Sequence, residues 1–111
     1  MADLPKEVEN KIAELQMLEQ NLQSFLLQRQ NFQSQLVEVE SALSELDATT
    51  AAYKIVGNIM VAANKETLKS DLHQKKEMLA LRLKTIEKQE TKLKEKATKM
   101  QGEVMEEMKK R

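Results

Sequence analysis

The sequence predicts a mainly α protein: a long antiparallel two-helix coiled coil with a single β-hairpin at the bend. Three observations carry that prediction. Ala, Glu, Lys, Leu and Arg supply 58 of the 111 residues, the proportion found in long or coiled-coil helices when the periodicity agrees. Apolar residues recur at heptad spacing in two separate stretches. Between those stretches lies a short apolar segment divided by Gly57-Asn58, a hairpin-turn dipeptide. One domain spanning residues 1–111 is expected, with a helix over 5–47, a hairpin over 52–63 and a second helix over 65–110.

The first helix follows from a +3, +4 rhythm running through Leu15, Leu18, Leu22, Phe25, Arg29, Phe32, Leu36, Val39, Leu43 and Leu46. Only Arg29 interrupts it, and backward extension adds Val8, with Lys11 in the seam and Ile12 beside it. A seam held for more than five heptads exceeds what a merely amphipathic helix requires. Asp3 can cap the helix near Pro5, while Glu7 and Glu9 suit the positive end of its dipole.

In the hairpin, a two-residue turn with Gly first is the type II′ signal. It sets Val56 opposite Ile59 and Lys54 opposite Val61 on one face, and Ile55 opposite Met60 and Tyr53 opposite Ala62 on the other. Both faces are mainly apolar, whereas a solvated hairpin alternates apolar with polar residues. A lone two-stranded hairpin is marginal in water, so other chains are expected to cover its faces and extend its edges. Folding the hairpin over its own helix ends would hide one face at most.

The second helix carries the seam Leu72, Lys76, Leu79, Leu83, Ile86, Glu90, Leu93, Ala97, Met100, Val104 and Met108, which slips only at its last step. Asn64 is the expected N-cap, and Lys109, Lys110 and Arg111 suit the negative end of the dipole. Residues 1–47 hold 3 basic and 9 acidic side chains, and residues 65–111 hold 14 basic and 9 acidic. Folding back at Gly57-Asn58 sets side by side residues whose numbers sum to about 115. Leu43 then meets Leu72, Leu36 meets Leu79, Leu22 meets Leu93 and Leu15 meets Met100. The same fold-back brings the acidic helix against the basic one, and disfavours parallel pairing of like helices.

Composition also excludes functions. The 18 basic and 18 acidic residues cancel, which removes a whole-chain electrostatic case for nucleic acid. There is no cysteine, no Gly-rich phosphate loop and no G-x-S-x-G elbow, and His73 is the one histidine, so neither enzyme chemistry nor a cofactor or metal site is expected. No basic region followed by an apolar run opens the chain, and residues 55–64 are too short to cross a bilayer, so a soluble cytoplasmic protein is expected. Lys84, Lys88, Lys92, Lys94, Lys96 and Lys99 could be read as a phosphate-binding stripe. Interleaved glutamates and the absence of stacking aromatics favour a solvated face, or a docking face for the acidic helix.

The open end of the coil carries a second point of interest. Leu4, Val8 and Ile12 fall beside Val104, Met105 and Met108, with Met100 just inside. Three Met within nine residues, at an end that would ordinarily fray and turn polar, suit an adaptable binding surface; they suit equally a seam that simply ends there.

The order of features then resembles a known family. A Gln- and Leu-rich heptad helix, the segment A-Y-K-I-V-G-N-I-M-V, and a capped basic helix containing L-R-L-K-T-I-E-K-Q-E are similar to the beta-type subunits of prefoldin. The resemblance covers essentially the whole chain. It is most specific at Tyr53, Lys54, Val56, Gly57 and Val61, and at Arg82, Ile86, Glu87, Gln89 and Glu90. It implies an ATP-independent chaperone without cofactor, built from two alpha-type and four beta-type subunits whose hairpins form an intersubunit β-barrel. It further implies coil tips that hold non-native proteins and deliver them to a group II chaperonin, with no nucleic acid or membrane partner. On this reading Tyr53, Ile55, Val56, Gly57, Ile59, Met60 and Val61 are assembly residues, and Val8, Ile12, Met100, Val104, Met105 and Met108 contact clients. A coiled-coil adaptor that binds one folded partner through the same tip is the alternative.

Overall fold

A computed structural model describes residues 4–110. Its order is α1 (Lys6–Ala48), β1 (Ala52–Val56), β2 (Ile59–Ala63) and α2 (Lys65–Lys109). The helices carry 43 and 45 residues, and each element begins and ends within two residues of its expected position.

Local chemistry accounts for the boundaries. The amides of Val8 and Glu9 donate to the Pro5 carbonyl, opening α1 on a residue whose ring already fixes a helical φ. The Asp3 cap expected there lies outside the described residues. At the other end Thr49 Oγ1 donates to the Ala51 carbonyl and accepts from its amide, so a β-branched residue turns the chain where α1 stops. No basic residue occupies the last turn of α1. Asp47 stands there against the dipole, and Lys69 Nζ compensates at 2.7 Å. Asn64 caps α2 as expected: its Oδ1 accepts from the Thr67 amide at 3.0 Å. Gly57 supplies the one positive φ among the described residues, +62°, while Asn58 keeps a negative one, the combination a type II′ turn requires.

The hairpin register is Ala52↔Ala63, Tyr53↔Ala62, Lys54↔Val61, Ile55↔Met60 and Val56↔Ile59. Two compact units divide the chain. In the unit of residues 30–84, Val39, Leu43 and Leu79 form a buried cluster against which Phe32, Leu36 and Leu72 pack. These are the residues that the fold-back register brings together. In the other unit, residues up to Arg29 and from Thr85 onward, Val8, Leu18, Ile86 and Ala97 are buried, and so is Glu90. Gly102 lies in α2 within this unit, with open space around the position that a side chain would take.

Candidate functional site

Two surfaces hold the residues singled out from the sequence, one on the hairpin and one at the open end of the coil. Alternation along β1 and β2 divides the hairpin's apolar side chains between its two faces, as its register dictates. Val56, Ile59 and Val61 are exposed on one face, and Tyr53, Ile55 and Met60 on the other, Ile55 at 71%. Only Ala52 is buried and Ala63 half-buried, at the base. The sheet has two strands, so each strand also has an edge without a strand partner among the described residues. Apolar faces and open edges are what strand addition from another chain would consume. Gly57 acts through the turn and carries no side chain to either face.

At the coil end, the structure sorts the six expected contact residues. Ile12 and Val104, half-buried, and Met105, 62% exposed, line one groove of about 520 Å³ together with Leu15, Gln16, Glu19 and Gln101. Met108 is 52% exposed, because the heptad seam continues to half-buried Glu107 and leaves Met108 off it. Met100 is half-buried and lies outside that lining. Val8 requires a correction: at 1% exposure it is a seam residue that closes the coil, with no surface to offer a client.

Polar pairs hold this end together. Lys11 Nζ lies 3.4 Å from Glu103 Oε2, and Lys96 Nζ lies 3.6 Å from Glu14 Oε1. Both pairs are solvated, which limits each to about 0–1 kcal/mol. Lys96 therefore reaches the acidic helix, as a docking face would. Deeper in the seam, Arg29 Nε donates to Glu90 Oε1 at 2.8 Å. The heptad pattern marks Arg29 as an interruption and does not pair it with Glu90. His73 is exposed. Exposed Met17, Leu27, Val37 and Met78 lie off the seam, so the heptad pattern carries no signal for them.

Comparison with known proteins agrees with this architecture. The sequence model of the prefoldin subunit family matches residues 9–111. A prefoldin subunit beta of Archaeoglobus fulgidus is 44% identical over 98 residues, covering 86% of this chain and 84% of that protein. The prefoldin subunit beta of Methanothrix thermoacetophila is 34% identical over 105 residues, covering 92% and 88%. Among solved structures, the crystal structure of the prefoldin beta subunit from Thermococcus strain KS-1 matches with a TM-score of 0.85 and 31% identity over 96% of each chain. Two long helices joined by one hairpin, with heptad seams in both, thus agree with sequence relatives that match most of the chain, and the protein belongs to the prefoldin family as a beta-type chaperone subunit.

Proposed function

We propose that the chain is a non-catalytic, ATP-independent cytoplasmic holdase subunit that binds unfolded proteins at its coil end and passes them to a group II chaperonin. Its hairpin docks with alpha-type subunits, two alpha with four beta, in a shared β-barrel. The observation that carries this reading is the groove at the coil end, where Ile12, Leu15, Val104 and Met105 present apolar surface beside the exposed Met108. Unbranched Met side chains repack around differently shaped apolar segments, which suits binding without sequence preference.

Weak individual contacts are an advantage here. A single contact with a Kd of about 1 mM is worth about −4 kcal/mol and releases quickly. Several such contacts on one assembly can raise avidity about 10²–10⁴-fold. A client is then held by the set and let go one contact at a time, without nucleotide hydrolysis.

The test replaces Ile12, Val104, Met105 and Met108 with Ser or Gln in the complex assembled with an alpha-type subunit. Mass and circular dichroism should stay unchanged, while suppression of aggregation of a chemically unfolded protein should fall. Added salt should not abolish suppression by the parent complex, because the attraction is mainly apolar. Full suppression by the correctly assembled variant would sink the reading. An adaptor for one folded partner would ignore unfolded proteins altogether.

A further inference from the structure

A heptad repeat of leucines specifies contact but hardly specifies register. Sliding α2 along α1 by seven residues, about 10 Å, sets apolar seam residues against apolar seam residues again. The Gly57-Asn58 turn selects one alignment where the helices leave the hairpin, and the seam contains a pair suited to hold that alignment along the coil. Arg29 is the single basic residue between Ile12 and Ala48 in the acidic helix, and it occupies a seam position. Glu90 occupies a seam position in the basic helix, and is 6% exposed. Each charge is opposite in sign to the net charge of its own helix.

We infer that Arg29 and Glu90 are positioning residues that fix the register of the intrachain coil, and that all other heptad alignments are penalised by the burial of an unpaired Glu90. The fold-back register places Arg29 level with Ile86 and Glu90 level with Phe25, one layer apart. Helical side chains lean toward the N-terminus of their own helix. In an antiparallel pair Arg29 therefore leans toward the layer of Glu90, and Glu90 leans back toward Arg29, which is how Nε and Oε1 come within 2.8 Å. A slip of seven residues in one direction sets Glu90 level with Leu18, about 16 Å along the axis from Arg29 and out of reach. A slip in the other direction sets it level with Phe32, where the two side chains lean apart. Either way a carboxylate is left among apolar neighbours without its cation, the arrangement that buried ion pairs punish most.

The register matters because the coil-end groove is built from both helices. Ile12 and Leu15 must arrive level with Val104 and Met105. This functional consequence rests on the holdase reading, whereas the register itself does not.

The chain contains no cysteine, so introduced pairs report alignment cleanly. Leu15→Cys with Met100→Cys samples the native register; Leu15→Cys with Leu93→Cys, and Leu15→Cys with Glu107→Cys, sample the two slipped ones. In the parent background only the native pair should form a disulfide under mild oxidation. In an R29L/E90L background, melting should be unchanged or higher, because apolar replacement of a buried ion pair is often neutral or stabilising. The selectivity should be lost, with all three pairs closing. An R29L/E90L chain that still closes only the native pair overturns the inference. Should that chain lose its helicity, the exchange R29E/E90R decides: closure of the native pair alone supports the inference, and closure of all three overturns it. Client suppression measured on the same chains is a separate readout, so a lost register with intact suppression would count against the holdase groove and leave the register assignment standing.

Discussion

The two compact units solve the same packing problem with different materials. Residues 30–84 bury an apolar cluster, Val39, Leu43 and Leu79, with half-buried Lys76 the one charged residue in their seam, and carry one ion pair near the hairpin, Asp47 with Lys69. The unit at the helix ends breaks its seam with Lys11, Arg29 and Glu90, and holds three of the four ion pairs found among the described residues. Apolar contact is strong and tolerant of sliding, whereas polar pairs are weak and particular about geometry. The difference teaches that one unit is built for adhesion and the other for alignment.

The sharpest way to break the comparison is at the hairpin, whose exposed residues take no part in the cluster beneath them. Replacing Val56 and Ile59 with Asp should abolish assembly with an alpha-type subunit while the helices persist. Burying two unpaired carboxylates per hairpin would cost several kcal/mol each, and native mass measurement together with circular dichroism checks both parts. A double variant that still assembles would mean that the hairpin faces remain solvated in the complex.

Next in size is the seam. Leu79→Ala should cost about 2–5 kcal/mol, since its side chain is 2% exposed within a cluster that cannot readily collapse. Leu18→Ala should fall at the lower end of the same range, about 2 kcal/mol, because Leu79 packs with two further buried residues, Val39 and Leu43, and Leu18 lies outside that cluster. Urea unfolding of the two variants side by side reads the difference. Equal losses would erase the distinction between the units.

The smallest effect concerns Asp47 and Lys69. The hydrogen bond from Lys69, and then its charge, hold the Asp47 carboxyl below the usual carboxylate range, and Asp47 raises Lys69 in return. The sign follows from linkage. The Asp47 contribution is present above the pH at which an unfolded Asp titrates, and is lost as pH falls through the lower folded value. The Lys69 contribution is present below the ordinary lysine range, and is lost as pH rises through the raised folded value. Both groups are solvated, so D47N should leave melting at neutral pH nearly unchanged. Carboxyl NMR titration should still find Asp47 below its unfolded counterpart.

Much of this fold is legible from spacing alone. One dipeptide fixed the position of the turn, and the five cross-strand pairs follow from it because side chains alternate with period two. The same fold-back number put Leu36 and Leu43 with Leu79 and Leu72. It failed where side-chain length and direction outweigh level: Arg29 reaches Glu90 one layer away, and no sum of residue numbers reveals a diagonal contact. At the candidate site, apolar character drew attention to Val8 and Met105 alike. Only the helix phase relative to the partner separates the residue that closes the coil from the one left on its surface. Met108 was placed in the seam by a one-residue slip in the repeat; the coil keeps its period through Glu107 instead, and the thioether stays outside.

Gly102 carries a consequence for motion. A glycine inside a helix costs about 1 kcal/mol relative to alanine, and here it sits in α2 between Gln101 and Val104, both of which line the groove. Nothing packs where its side chain would be, so packing does not require the absence of a side chain there. The last two turns of α2 should therefore open more readily than the turns before them, letting one wall of the groove breathe together with the terminal seam residues Val104 and Glu107 while the seam before Gly102 stays closed. Amide hydrogen exchange would show this as low protection from Glu103 onward, and Gly102→Ala should slow that exchange about fivefold, the equivalent of about 1 kcal/mol. A groove wall stiffened in this way would accommodate fewer shapes, so the range of unfolded proteins held should narrow before the tightness for any one of them declines.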